Sequence, residues 1–159
     1  MDSRSASARA SGSRSDPSAR SEHSDRPVSH FLSPLVSSPD QPWGVRHVTS
    51  GRVVVSRLEA AFDSATRKKG LLGRDRLEPG TGLVIAPCGG VHTFFMRFPI
   101  DVVFVARDGR VVKVRHAVQP WRLALAVTAF CVIELPAHTA AGSETRAGDR
   151  LELFSSAHA

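Results

Sequence analysis

Residues 91–105, VHTFFMRFPIDVVFV, place His92, Arg97 and Asp101 singly inside an apolar run that holds four of the chain's eight phenylalanines. These residue types can do chemistry. An arginine and an imidazole can receive a small anion between aromatic walls. A carboxylate set between Ile100 and Val102 needs a donor once it is buried. Arg74 or Arg97 is the expected donor for Asp101. Two readings stand. In one, the pair is structural and fixes the bend at Pro99. In the other, His92 and Arg97 line a pocket for an anion. Trp121, between Pro120 and Arg122, reads either as a rim aromatic over that pocket or as a side chain closing the end of a barrel.

Cys88 is the thiol candidate. It follows Pro87 at a Gly89-Gly90 bend, and His92 or His116 is the base a thiol enzyme would need. Cys88, His92 and Met96, with His47 upstream, also follow the ligand order of a blue-copper site. Against that, an extended run would separate Cys88 from Met96 by about 26 Å at ~3.3 Å per residue. No paired Cys/His spacing supports structural zinc. Gly70-Leu71-Leu72-Gly73 lacks the Lys-Ser/Thr of a phosphate loop. No metal and no cofactor are expected.

The elements that must position these residues are mostly strands. Residues 45–48 and 52–55 flank a turn at Ser50-Gly51, and the valine run favours a pleated surface. From Leu58 the alanines suit a helix. Asp63 or Ser64 is its expected cap, Arg67, Lys68 and Lys69 lie near its end, Gly70 is a break and Gly73 a terminator. Residues 83–86 form a short buried strand. Residues 91–96 are extended, with His92, Phe94 and Met96 on one face. A strand over 101–106 turns at Asp108-Gly109 into a partner over 109–116. Residues 123–127 are ambiguous, 130–135 are a strand with Glu134 embedded, 137–141 a helical turn, and 150–154 the last strand. About seven short strands and one short helix predict a mainly β fold on the α+β border, a small barrel-like sheet.

The chain has 159 residues and a formal net charge of +6. Five of those charges lie beyond Ser50, where fifteen Lys and Arg face ten Asp and Glu. A basic domain favours anionic partners, and a nucleic-acid reading would use Arg67, Lys68, Lys69, Arg74 and Arg76. No recognised basic-aromatic module supports it. Residues 1–44 are Ser/Arg/Pro-rich and offer little to bury, so they are expected to be a disordered tail ahead of a domain over 45–155. The tail reads as a solvated linker or as the product of a start placed too early. Its basic start has no apolar stretch behind it, so a cytoplasmic location is expected, with export as the alternative. Residues 123–133 fall far short of the ~20 needed to span a bilayer.

Several segments together resemble the DUF192 family: Arg67-x-x-Gly70-Leu71-Leu72-x-Arg74, Gly82-Leu83-x-Ile85, the run His92 to Asp101 with Phe104, then Asp108-Gly109, Glu134-Leu135-Pro136-Ala137 and Gly148-Asp149. The match runs in order over residues 53–153. The resemblance implies a small β-rich, barrel-like fold with a short helix and no assigned catalytic residues. Many members of the family carry export signals. Two positions depart from the family pattern. His138 stands where glycine is usual, a costly fit if the backbone there needs positive φ. Leu72 stands where methionine is frequent, a volume-conserving change.

The leading reading is a non-enzymatic binding or accessory module. Its site would gather His92, Arg97, Asp101, Trp121 and Arg74 around a small anionic or peptide ligand, or a protein partner. The rival readings are a thiol enzyme at Cys88, a nucleic-acid-binding domain, and a copper site.

Overall fold

The computed structural model describes residues 30–157. Its centre is a five-stranded sheet in the order β3 (Arg57–Ala61), β4 (Thr81–Ile85), β9 (Cys131–Pro136), β6 (Ile100–Val105) and β7 (Val111–Val118). All residues of β4 and β6 are buried. Strands covered on both faces read as continuous apolar runs, and that is how TGLVI and IDVVFV read. β3 and β4 run parallel. Parallel neighbours need a crossover, and helix α2 (Ser64–Lys69) supplies it. The other pairs in this sheet are antiparallel.

One face of the central sheet presents Val103, Val105, Ile133 and Leu135. It is covered by a second sheet of β10 (Leu151–Ser155), β1 (Trp43–His47) and β2 (Val53–Val55), with helices α1 (Ser33–Ser37) and α3 (Thr139–Gly142) alongside. The opposite face presents Val102, Phe104 and Val132. Over it lie the segment around Leu71 and Leu77 and a two-stranded ribbon of β5 (Gly90–His92) and β8 (Leu123–Leu125). The fold is mainly β with short helices, as expected, but its three sheets stay open and none closes into a barrel.

Four local expectations change. The first concerns the alanines of residues 57–61, which form β3 rather than a helix. Pairing with β4 overrides their propensity, and the helix starts only where Asp63 caps it by accepting from the N–H groups of Ala65 and Thr66. Gly70 ends that helix at φ 47° and ψ −123°, a conformation open to glycine alone. Next, the run 91–96 stops being a strand at His92. Phe94 and Phe95 make a turn, closed by the Met96 N–H on the Thr93 carbonyl at 3.2 Å.

The folded region also begins earlier than residue 45. Phe31, Leu32 and Leu35 are buried in the core. Pro34 lies in the first turn of α1, where its missing N–H costs nothing and its fixed φ suits the helix start. Residues 1–29, most of the expected tail, lie outside the described residues. The last change is in strand number, ten among the described residues.

Candidate functional site

A cleft of about 260 Å³ opens between α2 and the β5 end of the ribbon. Its floor is the central sheet, represented by Ile85 of β4 and Glu134 of β9, with Met96 beside them. Its rim carries Arg67, Lys68 and Lys69 from α2 on one side and Cys88 and His92 on the other. Arg67 reaches across to donate to the Pro87 carbonyl at 3.3 Å, so one cation is spent holding the two walls together. Neither Lys68 nor Lys69 forms an ion pair among the described residues.

Glu134 is the unusual group in the cleft. Its side chain is buried and its Oε2 has no hydrogen-bond partner. Burial pushes its pKa up from the ordinary 4.5 to about 7, against the partial pull of the Arg74 charge. Buried polar atoms are nearly always satisfied, and an orphaned one in a cleft wall marks a place where something else can bind. Strand register explains the position. Glu134 pairs with Val102 and Leu83, so its side chain shares the face that the ribbon and the α2 segment leave open between them. The sequence carried the signal as one carboxylate inside FCVIELP. Period-2 alternation does not say which face stays uncovered, so the pattern alone does not single Glu134 out.

The expected site residues do not converge. Asp101 is fully buried on the other face of the sheet. Its donors are backbone, the Ala117 N–H to Oδ1 and the Ala140 N–H to Oδ2, both at 2.8 Å. Neither Arg74 nor Arg97 bonds it. Arg74 forms a two-point pair with Glu59 at 2.7 and 3.3 Å, which holds the Glu59 carboxyl below its ordinary range. Arg97 pairs with Asp75 at the surface. The physical reason is depth. The Asp101 carboxylate points into the layer between β6 and α3, where two orphan N–H groups need an acceptor, and a guanidinium would have to be desolvated to reach it. Trp121 is exposed and sits against Phe94 and Phe95 on the ribbon tip. Of the residues expected around the anionic ligand, only His92 lines the cleft, with the thiol candidate Cys88 beside it, and His92 stacks on Phe94 at 5.1 Å.

Cys88 and Cys131 are free thiols. Cys88 is half-buried, and its Sγ donates to the Gly90 carbonyl at 3.0 Å. Desolvation raises its pKa, and the Glu134 charge adds to that. Cys131 is pushed up to about 12, mainly by burial. Both are held as thiols at neutral pH, the opposite of an activated nucleophile. The turn at Phe94-Phe95 removes the extended-run argument against copper, since Cys88, His92 and Met96 all line one cleft. Among the described residues no three His, Cys, Asp or Glu are grouped to hold a metal ion, so a copper site there would rest on the Met96 thioether as a ligand. Of the cations expected to meet nucleic acid, Arg74 and Arg76 are engaged by Glu59 and Glu78. No helix is long and apolar enough to cross a membrane.

A mainly β domain with an open central sheet, and a cleft between a crossover helix and a short ribbon, is the class these observations define. The family model DUF192, described as an uncharacterized ACR, matches residues 45–153. The chain belongs to the DUF192 family. A solved structure of a protein of unknown function from Novosphingobium aromaticivorans is 26% identical, with a TM-score of 0.61 over 70% of this chain and 83% of that one. A Sinorhizobium meliloti protein described as a candidate transcription regulator is 24% identical, with a TM-score of 0.62 over 70% of this chain and 92% of its own, and it shows the shared fold alone. No curated protein matches the chain.

Proposed function

We propose that the domain is a binding module for a small, partly apolar anion, held in the cleft between α2 and β5. The unpartnered, buried Oε2 of Glu134 carries this reading. A ligand's polar group completes it, accepting a hydrogen bond from the acid O–H below about pH 7 and donating one to the carboxylate above it. Ile85, Val91 and Met96 give the body of the ligand an apolar wall. Lys68 and Lys69 attract its anionic end. The cavity is smaller than the ~300 Å³ at which drug-sized sites begin, so it suits a metabolite-sized compound. This keeps the anionic ligand expected from the sequence and moves its site from Arg97, Asp101 and Trp121 to the α2 cleft.

The test uses the full chain and linear ω-hydroxy carboxylates from 4-hydroxybutanoate to 8-hydroxyoctanoate, with 4-hydroxyphenyl phosphate beside them, so that each probe has an anionic end and a hydroxyl for Glu134. Binding is followed by melting temperature and by two-dimensional NMR. The expected result is that at least one probe raises the melting temperature and shifts the Gly70, Gly90 and Glu134 resonances. Glu134→Leu keeps the volume and removes the polar group. It is expected to weaken that probe about tenfold, the worth of one good hydrogen bond. Shifts that map away from the cleft, or a Glu134→Leu variant that binds as well as the native chain, would overturn the reading.

A further inference from the structure

Eight large apolar side chains are exposed among the described residues, and five of them, Phe95, Trp121, Leu123, Leu125 and Val127, belong to the β5–β8 ribbon and its connections. Phe95 and Trp121 meet edge to face at 4.6 Å, and Phe94 lies 5.8 Å from Trp121. Leu123 and Leu125 alternate with the buried Ala124 and so share one outward face of β8. Val127 is 94% exposed and Phe95 71%. These side chains stand out from the surface. A contiguous exposed apolar patch on a soluble domain marks an interaction surface.

The backbone adds an independent observation. Phe95 has φ 64° and Trp121 φ 66°. Left-handed backbone strains a bulky residue where glycine would not be strained. Thr93 holds both strained residues in place. Its carbonyl accepts the Trp121 N–H at 2.9 Å and the Met96 N–H at 3.2 Å, and its Oγ1 donates to the Gln119 carbonyl while accepting the Arg122 N–H. Two of the largest side chains in the chain therefore occupy positions best suited to glycine, and both point into solvent. Such strain gathers where a surface is kept for use.

Charge names the partner. Residues 86–100 and 111–133 contain four Arg or Lys, of which Arg97 is paired with Asp75, two His, and no Asp or Glu. Arg115 and Arg122 are exposed beside the patch, and Lys113 Nζ donates to the Leu125 carbonyl at 3.0 Å, which fixes a cation at the foot of Leu125. A second copy of the chain would bring like charges together. A peptide partner would need a recess that protruding side chains do not offer. A fluid bilayer needs no recess. It takes Trp and Phe at headgroup depth, and anionic lipid attracts each nearby Lys or Arg.

We propose that the ribbon tip, with Phe95, Trp121, Leu123 and Leu125 inserted and Arg115 and Arg122 at the headgroups, docks the domain on an anionic lipid surface. Docking is peripheral and calls for no spanning segment.

The experiment uses full-length Trp43→Phe protein, so that Trp121 alone reports, with phosphatidylcholine vesicles prepared with and without phosphatidylglycerol. The expected results are co-sedimentation with the phosphatidylglycerol vesicles only, a blue shift of Trp121 emission, and its quenching by brominated acyl chains. In the native background, Phe95→Gly with Trp121→Gly is expected to weaken sedimentation at least about tenfold while leaving the melting temperature equal or higher, because the strain is relieved. Three results would each overturn the proposal. One is no sedimentation. Another is sedimentation with unquenched Trp121 that survives the glycine pair, which assigns adsorption to another surface. The third is a Trp121 shift given by polyglutamate and not by vesicles, which assigns the patch to an acidic protein.

Discussion

Asp101 and Glu134 stand on neighbouring strands of the central sheet and point to opposite faces. Asp101 pairs with Leu135, and Val102 with Glu134. Both carboxyl groups are buried. Asp101 spends both oxygens on backbone N–H groups, whereas Glu134 Oε2 has no partner. One acid is structural and the other is available, and the difference is which layer covers each face.

Glu134 should make stability depend on pH. Its folded-state pKa of about 7 lies above the ordinary 4.5, so the native chain keeps a proton that the unfolded chain releases. Stability therefore falls as pH rises from 4.5 to about 7 and levels off above that, a loss of roughly 3 kcal/mol. Glu134→Gln removes the titration. Urea unfolding at about pH 8 is expected to find the variant about 2 kcal/mol more stable than the native chain, with near equality at about pH 4. Equal stability at both pH values would show that the carboxyl is hydrated in solution.

Asp101 substitutes for a missing helix cap. His138 at the N-terminus of α3 makes no side-chain cap bond, and Asp101 accepts the Ala140 N–H from β6. The same carboxylate takes the Ala117 N–H where the β6–β7 register shifts. Asp101→Ala strands both N–H groups, and chemical denaturation is expected to show a loss of about 3 kcal/mol or more. Asp101→Asn keeps one acceptor and should lose less. A loss below about 1 kcal/mol for the alanine variant would mean that water replaces the carboxylate.

His138 has φ 71°, the left-handed conformation that glycine adopts without strain. His138→Gly is expected to stabilise the domain by about 0.5–1 kcal/mol, read as a higher melting temperature. An unchanged or lower value would mean that the imidazole contributes contacts worth as much as the strain.

The thiols should be slow. Burial raises the pKa of Cys88 and pushes that of Cys131 to about 12. Iodoacetamide at about pH 8 is expected to label Cys88 more slowly than an exposed thiol and Cys131 only after unfolding. Fast labelling of Cys88 near neutral pH would restore a thiol chemistry.

The sequence by itself determined the mainly β class, the family, the hairpin at Asp108-Gly109, a helix cap at Asp63 or Ser64, and a cost at His138 conditional on positive φ there. Each of these rests on local chemistry: β-branched runs, turn residues, or one residue type at one backbone position. Only the tertiary structure decided the site. Asp101 and Glu134 look alike as single acids in apolar strands, and no local rule says which face of a sheet a neighbouring layer will leave open. Phe94 and Phe95 read as strand from their propensity, yet the Thr93 hydrogen-bond cluster turns the chain there and moves Trp121 onto the ribbon. Phe31, Leu32 and Leu35 were too few to predict a folded segment, and they fold because a core built by residues far along the chain gives them a place to be buried.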